Sequence, residues 1–197
     1  MLLNQVINQT AHPIANTSYQ QQSKQQFDQE GVLVLRQFLT PAALSAIVDE
    51  GNNKQDLAFY TESGHNVYLM PSDPLYPIDH SRNKHVQSSK GCITDDQIDT
   101  NSTLRTLYDA DELKSFLAFV LNEEKLHPYA DPLSSINLHY ASEGQELGWH
   151  FDNSSFAITL LIQSPKAGGQ FEYVAKQRDS GQGDMNYEGV SEVLSDG

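Results

Sequence analysis

The residues best suited to chemistry are a histidine and an aspartate one position apart, in the run Gly148-Trp149-His150-Phe151-Asp152. On an extended strand, positions i and i+2 share a face. The spacing therefore presents an imidazole and a carboxylate side by side. Such a pair suits two corners of a facial triad for non-haem iron, with a second histidine from another strand as the third ligand and three positions left open. A plainer alternative is a strand-end histidine hydrogen-bonded to its neighbouring carboxylate, since buried polar groups need partners. The spacing alone does not choose between them: with 7 His and 15 Asp in 197 residues, random placement yields about 0.5 such pairs. The companion spacing His-Glu-x-x-His of a zinc hydrolase does not occur, which weakens that reading.

The elements that must hold this pair are legible in outline. Residues 1–23 are dense in amide side chains and read as a polar, flexible leader, disordered until about Tyr19. Residues 24–197 read as one domain. A short polar helix from Lys24 ends at Gly31 and passes into the apolar run Val32-Leu33-Val34-Leu35, which suits a strand. Thr40 and Pro41 start a second helix with Leu44, Ile47 and Val48 on one face, which Gly51-Asn52 should end. Between Tyr60 and Asp99 periodicity fails, and Pro71, Pro74 and Pro77 with Gly64 and Gly91 imply a long irregular segment, either a lid or binding loop or a solvated connection. A helix from about Asp111 to Leu121 carries Leu113, Phe116, Leu117, Val120 and Leu121 as a packing stripe.

Beyond the helical and loop region 24–130, the pattern changes. Strands are expected over residues 132–175, at Ser135 to Tyr140, Leu147 to Asp152, Ala157 to Gln163 and Gln170 to Val174. Turns should fall at Ser142-Glu143-Gly144, at Asn153-Ser154-Ser155 and at the Gly168-Gly169 stretch. Residues 176–197 read as an acidic loop. The fold class expected is mainly β with N-terminal helices, an antiparallel sandwich or jelly roll.

Composition bounds the partners. Net charge is −14, from 12 Lys+Arg against 26 Asp+Glu, which repels phosphate backbones and argues against nucleic acid. No stretch approaches the roughly 18 apolar residues of a membrane span, so no membrane partner is expected. Cys92 is the single cysteine, which excludes an internal disulfide and fits a reducing, cytoplasmic compartment.

The order strand, Gly turn, His-x-Asp strand, apolar strand, Gly-Gly turn and strand runs through Ile136 to Tyr140, Gly144, Leu147 to Asp152, Phe156 to Ile162 and Gly168-Gly169-Gln170-Phe171-Glu172. It resembles the iron(II)/2-oxoglutarate-dependent dioxygenases, and within them bacterial enzymes related to the amino-acid hydroxylases and radical halogenases. Ser88-Ser89-Lys90-Gly91-Cys92-Ile93, Asp95-Asp96-Gln97-Ile98 and Tyr129-Ala130-Asp131-Pro132-Leu133 add to the likeness, which covers about residues 27 to 190.

The resemblance implies a double-stranded β-helix of the jelly-roll or cupin-like type. It implies Fe(2+), 2-oxoglutarate and O2 as the reaction's requirements, with His150 and Asp152 as iron ligands. It places Asn137, and after it Tyr140, near the 2-oxoglutarate, although strand alternation turns those two to opposite faces. Trp149 falls on the face opposite the ligands, as a packing residue. In the related halogenases the carboxylate position is a small residue that leaves room for halide. Asp152 therefore implies hydroxylation of a small-molecule substrate, possibly an amino acid, coupled to decarboxylation of 2-oxoglutarate to succinate.

The family pattern also asks for a distal His and for an Arg that pairs with the far carboxylate of 2-oxoglutarate. No His follows His150, and the only later Arg is Arg178. Of the earlier histidines, His139 lies nearest on an adjacent expected strand. A jelly roll needs roughly eight strands, so the chain reads as the N-terminal part of such an oxygenase, its β-helix incomplete at the C-terminus. The competing expectation is a non-catalytic jelly-roll binding or structural module with a degenerate metal site.

Overall fold

A computed structural model describes residues 1–131 and 133–196. Pro132, within the Tyr129-to-Leu133 motif, and Gly197 lie outside the described residues. The chain divides into two compact units, Met1–Ala58 with Cys92–Leu138, and Phe59–Gly91 with His139–Gly197.

The first unit is helical: α1 Leu3–Val6, α2 Thr17–Glu30, α3 Pro41–Lys54, α4 Thr103–Asp109 and α5 Asp111–Leu121. Local capping sets the ends. Asn16 accepts from the Tyr19 N–H to start α2, and Gly31 ends it at φ 74° in the left-handed region that favours glycine. Thr40 accepts from the Ala43 N–H ahead of α3, which runs on past Gly51-Asn52 to Lys54. Phe116 of α5, Ile7 and Ile14 are fully buried and form one cluster with Leu113 and Val120. The first twenty-three residues are thus packed rather than a flexible leader, because Val6, Ile7 and Ile14 are apolar enough to anchor the amide-rich stretch between them. Leu33 and Leu35 pack on the same cluster, but Val32 to Leu35 forms no strand. The pairing available nearby is a single antiparallel bridge between Ile7 and Leu39.

The same unit carries a partly buried ion pair. Arg105 Nη2 donates to Asp95 Oδ1 at 2.7 Å, and Ser135 donates to the other carboxylate oxygen. Burial works to raise the Asp95 carboxyl, but these hydrogen bonds and the guanidinium charge outweigh it and hold the group below its ordinary value.

The second unit holds β1 Phe59–Asn66, most of β2 His85–Ile93 and the last two residues of β3 Leu138–Tyr140, strands that pair in the order β1-β2-β3. Two strands therefore occupy much of the stretch expected to be irregular. β1 is solvent-exposed over its first six residues, so it shows no apolar alternation to read. The Pro-rich connection between β1 and β2 is tied by Asn83, whose side chain accepts from the Asp73 N–H at 2.7 Å and donates to the carbonyls of Asp73 and Tyr76.

Past β3, Gly144 takes φ +80° in its turn, and Leu147 then makes an antiparallel bridge with Ser88. Among the described residues, the expected strand from Leu147 to Asp152 pairs only through this bridge, and no ladder forms over Ala157 to Gln163 or Gln170 to Val174. The acidic tail, expected to be a loop, forms α6 Tyr187–Asp196. Asn186 accepts from the Gly189 N–H as its cap, and Tyr187, Val190 and Leu194 fall at i, i+3 and i+7. Val190 and Leu194 close on Val67 and Tyr68, with Trp149, Phe151, Met185 and Tyr187 packed around them.

Candidate functional site

The His150 segment is laid against the sheet by its backbone. The Ser89 N–H donates to the Glu146 carbonyl at 2.7 Å, and the Phe151 N–H donates to the Val67 carbonyl at 2.7 Å. Contact at Gly148 is so close that a Cβ there would lie 2.4 Å from the Gln87 carbonyl oxygen and 2.8 Å from Val86 Cγ2. Only glycine lets the two backbones meet at this point.

Alternation then sorts the side chains. Trp149 and Phe151 turn into the cluster beneath α6, and Arg178 stacks its guanidinium 4.0 Å from the Phe151 ring centre. His150 and Asp152 are brought together, with His150 Nε2 at 3.7 Å from Asp152 Oδ1. The imidazole is one-quarter exposed and the carboxylate about half, as open coordination would require.

The His150 ring is oriented through its other nitrogen. Nδ1 lies 2.9 Å from the Gly148 carbonyl oxygen. A carbonyl only accepts, so Nδ1 donates to it, and Nε2 is the ring atom turned toward Asp152. Metal-binding histidines are commonly held in this way, with the non-ligating N–H on a carbonyl or carboxylate. Nitrogen and oxygen ligands at about 2.1 Å from one metal ion, at right angles, stand about 3 Å apart. The observed separation is within a small side-chain adjustment of that value, so the donor set fits one edge of a metal site.

The remaining candidates are placed elsewhere. His65 of β1 sets its ring perpendicular to that of His150 with centres 6.1 Å apart, but both its nitrogens are engaged, Nε2 with Ser88 Oγ at 2.7 Å and Nδ1 with the Asn66 carbonyl at 3.1 Å. His139 sits on β3, where crowding by neighbouring atoms and then the Lys90 ammonium hold its imidazole below the ordinary histidine value. Tyr140 is on the same strand, half-buried. Asn137 belongs to the first unit, where its Oδ1 accepts from Cys92 Sγ at 3.7 Å and its Nδ2 donates to the Ser134 carbonyl at 3.2 Å. Among the described residues, no group of three or more His, Cys, Asp or Glu side chains gathers as a metal site. Among the described residues, no helix is long and apolar enough to cross a membrane.

The sequence reading missed His65, Ser88 and the part Gly148 plays. Ser88-Ser89 carries no periodicity that would reveal Ser88 as buried, and its contact with residue 148 is long-range.

A model of the Halogenase D family matches residues 76–196. Nothing among the curated proteins or the solved structures matches the chain.

Proposed function

The chain belongs to the Halogenase D family, and from that premise we propose that it is an iron(II)/2-oxoglutarate-dependent oxygenase in which His150 and Asp152 supply two of the metal ligands. The observation that carries the reading is the placement of His150, whose Nδ1 lies 2.9 Å from the Gly148 carbonyl oxygen while Nε2 lies 3.7 Å from Asp152 Oδ1. An iron(II) ion bound there with 2-oxoglutarate and O2 would supply oxidation of a substrate C–H bond coupled to decarboxylation of the oxo acid to succinate. His150 contributes a neutral donor in fixed orientation. Asp152 contributes a negative charge that offsets the metal's and fills the position a halide would take. Trp149 and Phe151, packed beneath the ligands, keep water from that side.

On this reading the product is hydroxylated and the substrate is a small polar metabolite such as a free amino acid. The same reading expects a jelly-roll frame and a cytoplasmic setting.

The test is anaerobic addition of iron(II) and 2-oxoglutarate to the protein, followed by O2 and a panel of amino acids. A visible charge-transfer band, succinate, and a product that gains one oxygen atom are expected. His150→Ala and Asp152→Ala should each abolish the band. A wild-type chain that gives neither band nor succinate would return the protein to the alternative of a non-catalytic binding module.

A further inference from the structure

Resting on the metal-site reading above, we propose that Ser88 is the positioning residue for His150, with His65 fixing the Ser88 hydroxyl. Hydrogen-bond directions follow from chemistry. The Gly148 N–H donates to Ser88 Oγ at 2.9 Å. His65 Nδ1 faces the Asn66 carbonyl and must donate to it, which in the neutral imidazole leaves His65 Nε2 as an acceptor. The Ser88 hydroxyl therefore donates to Nε2 at 2.7 Å while accepting from Gly148. On the far side of the same residue, the Gly148 carbonyl accepts from His150 Nδ1. The result is a one-way relay, Gly148 N–H to Ser88 to His65 to the Asn66 carbonyl, in which every donor has one acceptor.

Ser88 is only 7% exposed, so its hydroxyl is largely shielded from solvent. Its hydroxyl fixes the N–H end of residue 148, and the close approach to Gln87 and Val86 fixes that residue from below. The carbonyl that selects the His150 tautomer is then pinned in place. The perpendicular His65 ring, centred 6.1 Å from that of His150, confines the imidazole from the side. β1 and β2 thereby act on the candidate ligand without touching the metal position.

The tautomer of His150 is read directly by two-bond 1H–15N correlation on histidine-labelled protein, assigned with His150→Gln. The wild type should show His150 as the Nδ1–H tautomer alone. Ser88→Ala should give a tautomer mixture, and Ser88→Thr, which keeps the hydroxyl, should restore the single form. His65→Phe preserves a ring and removes the acceptor, and should shift the tautomer in the same direction should Ser88→Ala fail to fold. Cobalt(II) titration adds a second readout: Ser88→Ala and His65→Phe should weaken binding about 10- to 100-fold, the range for residues behind the ligands, with Ser88→Thr near wild type. An unchanged tautomer and unchanged cobalt(II) affinity in Ser88→Ala overturn the proposal. A wild-type protein that binds no cobalt(II) sinks the metal reading, and the tautomer result then decides the positioning role by itself.

Discussion

Gly148→Ala is the sharpest perturbation of the site, because its cost can be worked from geometry. A Cβ at residue 148 would stand 2.4 Å from a backbone oxygen and 2.8 and 3.1 Å from the two nearest atoms of Val86. Carbon and oxygen without a normal hydrogen bond keep about 3.3 Å apart, so β2 or the 147–152 segment must move by about 1 Å. Val86 can partly turn aside, whereas the Gln87 carbonyl is fixed within β2. Overpacking of this kind costs about 1–3 kcal/mol, and loss of the Gly148 N–H bond to Ser88 adds about 1 kcal/mol. The expected destabilisation is therefore about 2–4 kcal/mol. Urea unfolding followed by fluorescence reads it well, since the single tryptophan is Trp149 itself. Gly144→Ala is the control: nothing lies within 4 Å of a Cβ there, and only the left-handed φ, about 1–2 kcal/mol, should register. A Gly148→Ala protein within about 0.5 kcal/mol of wild type, the size of an ordinary surface change, with cobalt(II) binding intact, would refute the account of how the segment is held.

Three further outcomes are expected. Ile7→Ala should cost about 2–5 kcal/mol in thermal or urea unfolding, as truncation of a fully buried side chain does, whereas a flexible leader would register no change. Arg105→Met should cost about 2–4 kcal/mol by leaving Asp95 buried without its cation. Asp95 is held below its ordinary value in the folded chain, so its stabilising contribution is present at neutral pH and lost as pH falls through that depressed value, and acid titration of the variant should lack this loss. Tyr68, whose hydroxyl donates to the Met185 carbonyl at 2.8 Å, is pushed up to about 12 by burial and then by Tyr187, with Arg178 and Arg82 opposing. A raised folded value makes the neutral phenol stabilising below pH 10 and progressively less so from there to about pH 12. Tyr68→Phe should flatten that alkaline decline while costing about 1 kcal/mol at neutral pH.

What could be read in the residues follows from where the energy is local. α5 begins and ends at the residues its stripe implies, and Thr40-Pro41 and Gly31 mark real helix ends, because caps and 3.6-residue stripes act within a few positions. β1 could not be read: its exposed residues have no buried face to impose alternation. α6 was hidden by its acidic composition, although Asn186 followed by Tyr187, Val190 and Leu194 is a cap and a stripe. The chemistry of the site divides in the same way. Pairing of His150 with Asp152 needs only the i, i+2 rule, whereas the hold exerted by Ser88 and His65 joins residues sixty and more positions away from Gly148 and His150.

The fixing of His150 comes from both sides of one short segment, and the two sides are coupled. On one side the Gly148 peptide is pinned between Ser88 and the β2 backbone. On the other, Trp149 and Phe151 are anchored in the cluster closed by Val190 and Leu194 of α6, with Arg178 stacked on Phe151. Phe151 stands between His150 and Asp152 in the chain, so a backbone displacement at its socket reaches both neighbours. Packing at α6, with no ligand of its own, therefore bears on the spacing of the two donors, and the acidic tail becomes part of the scaffold of the candidate site.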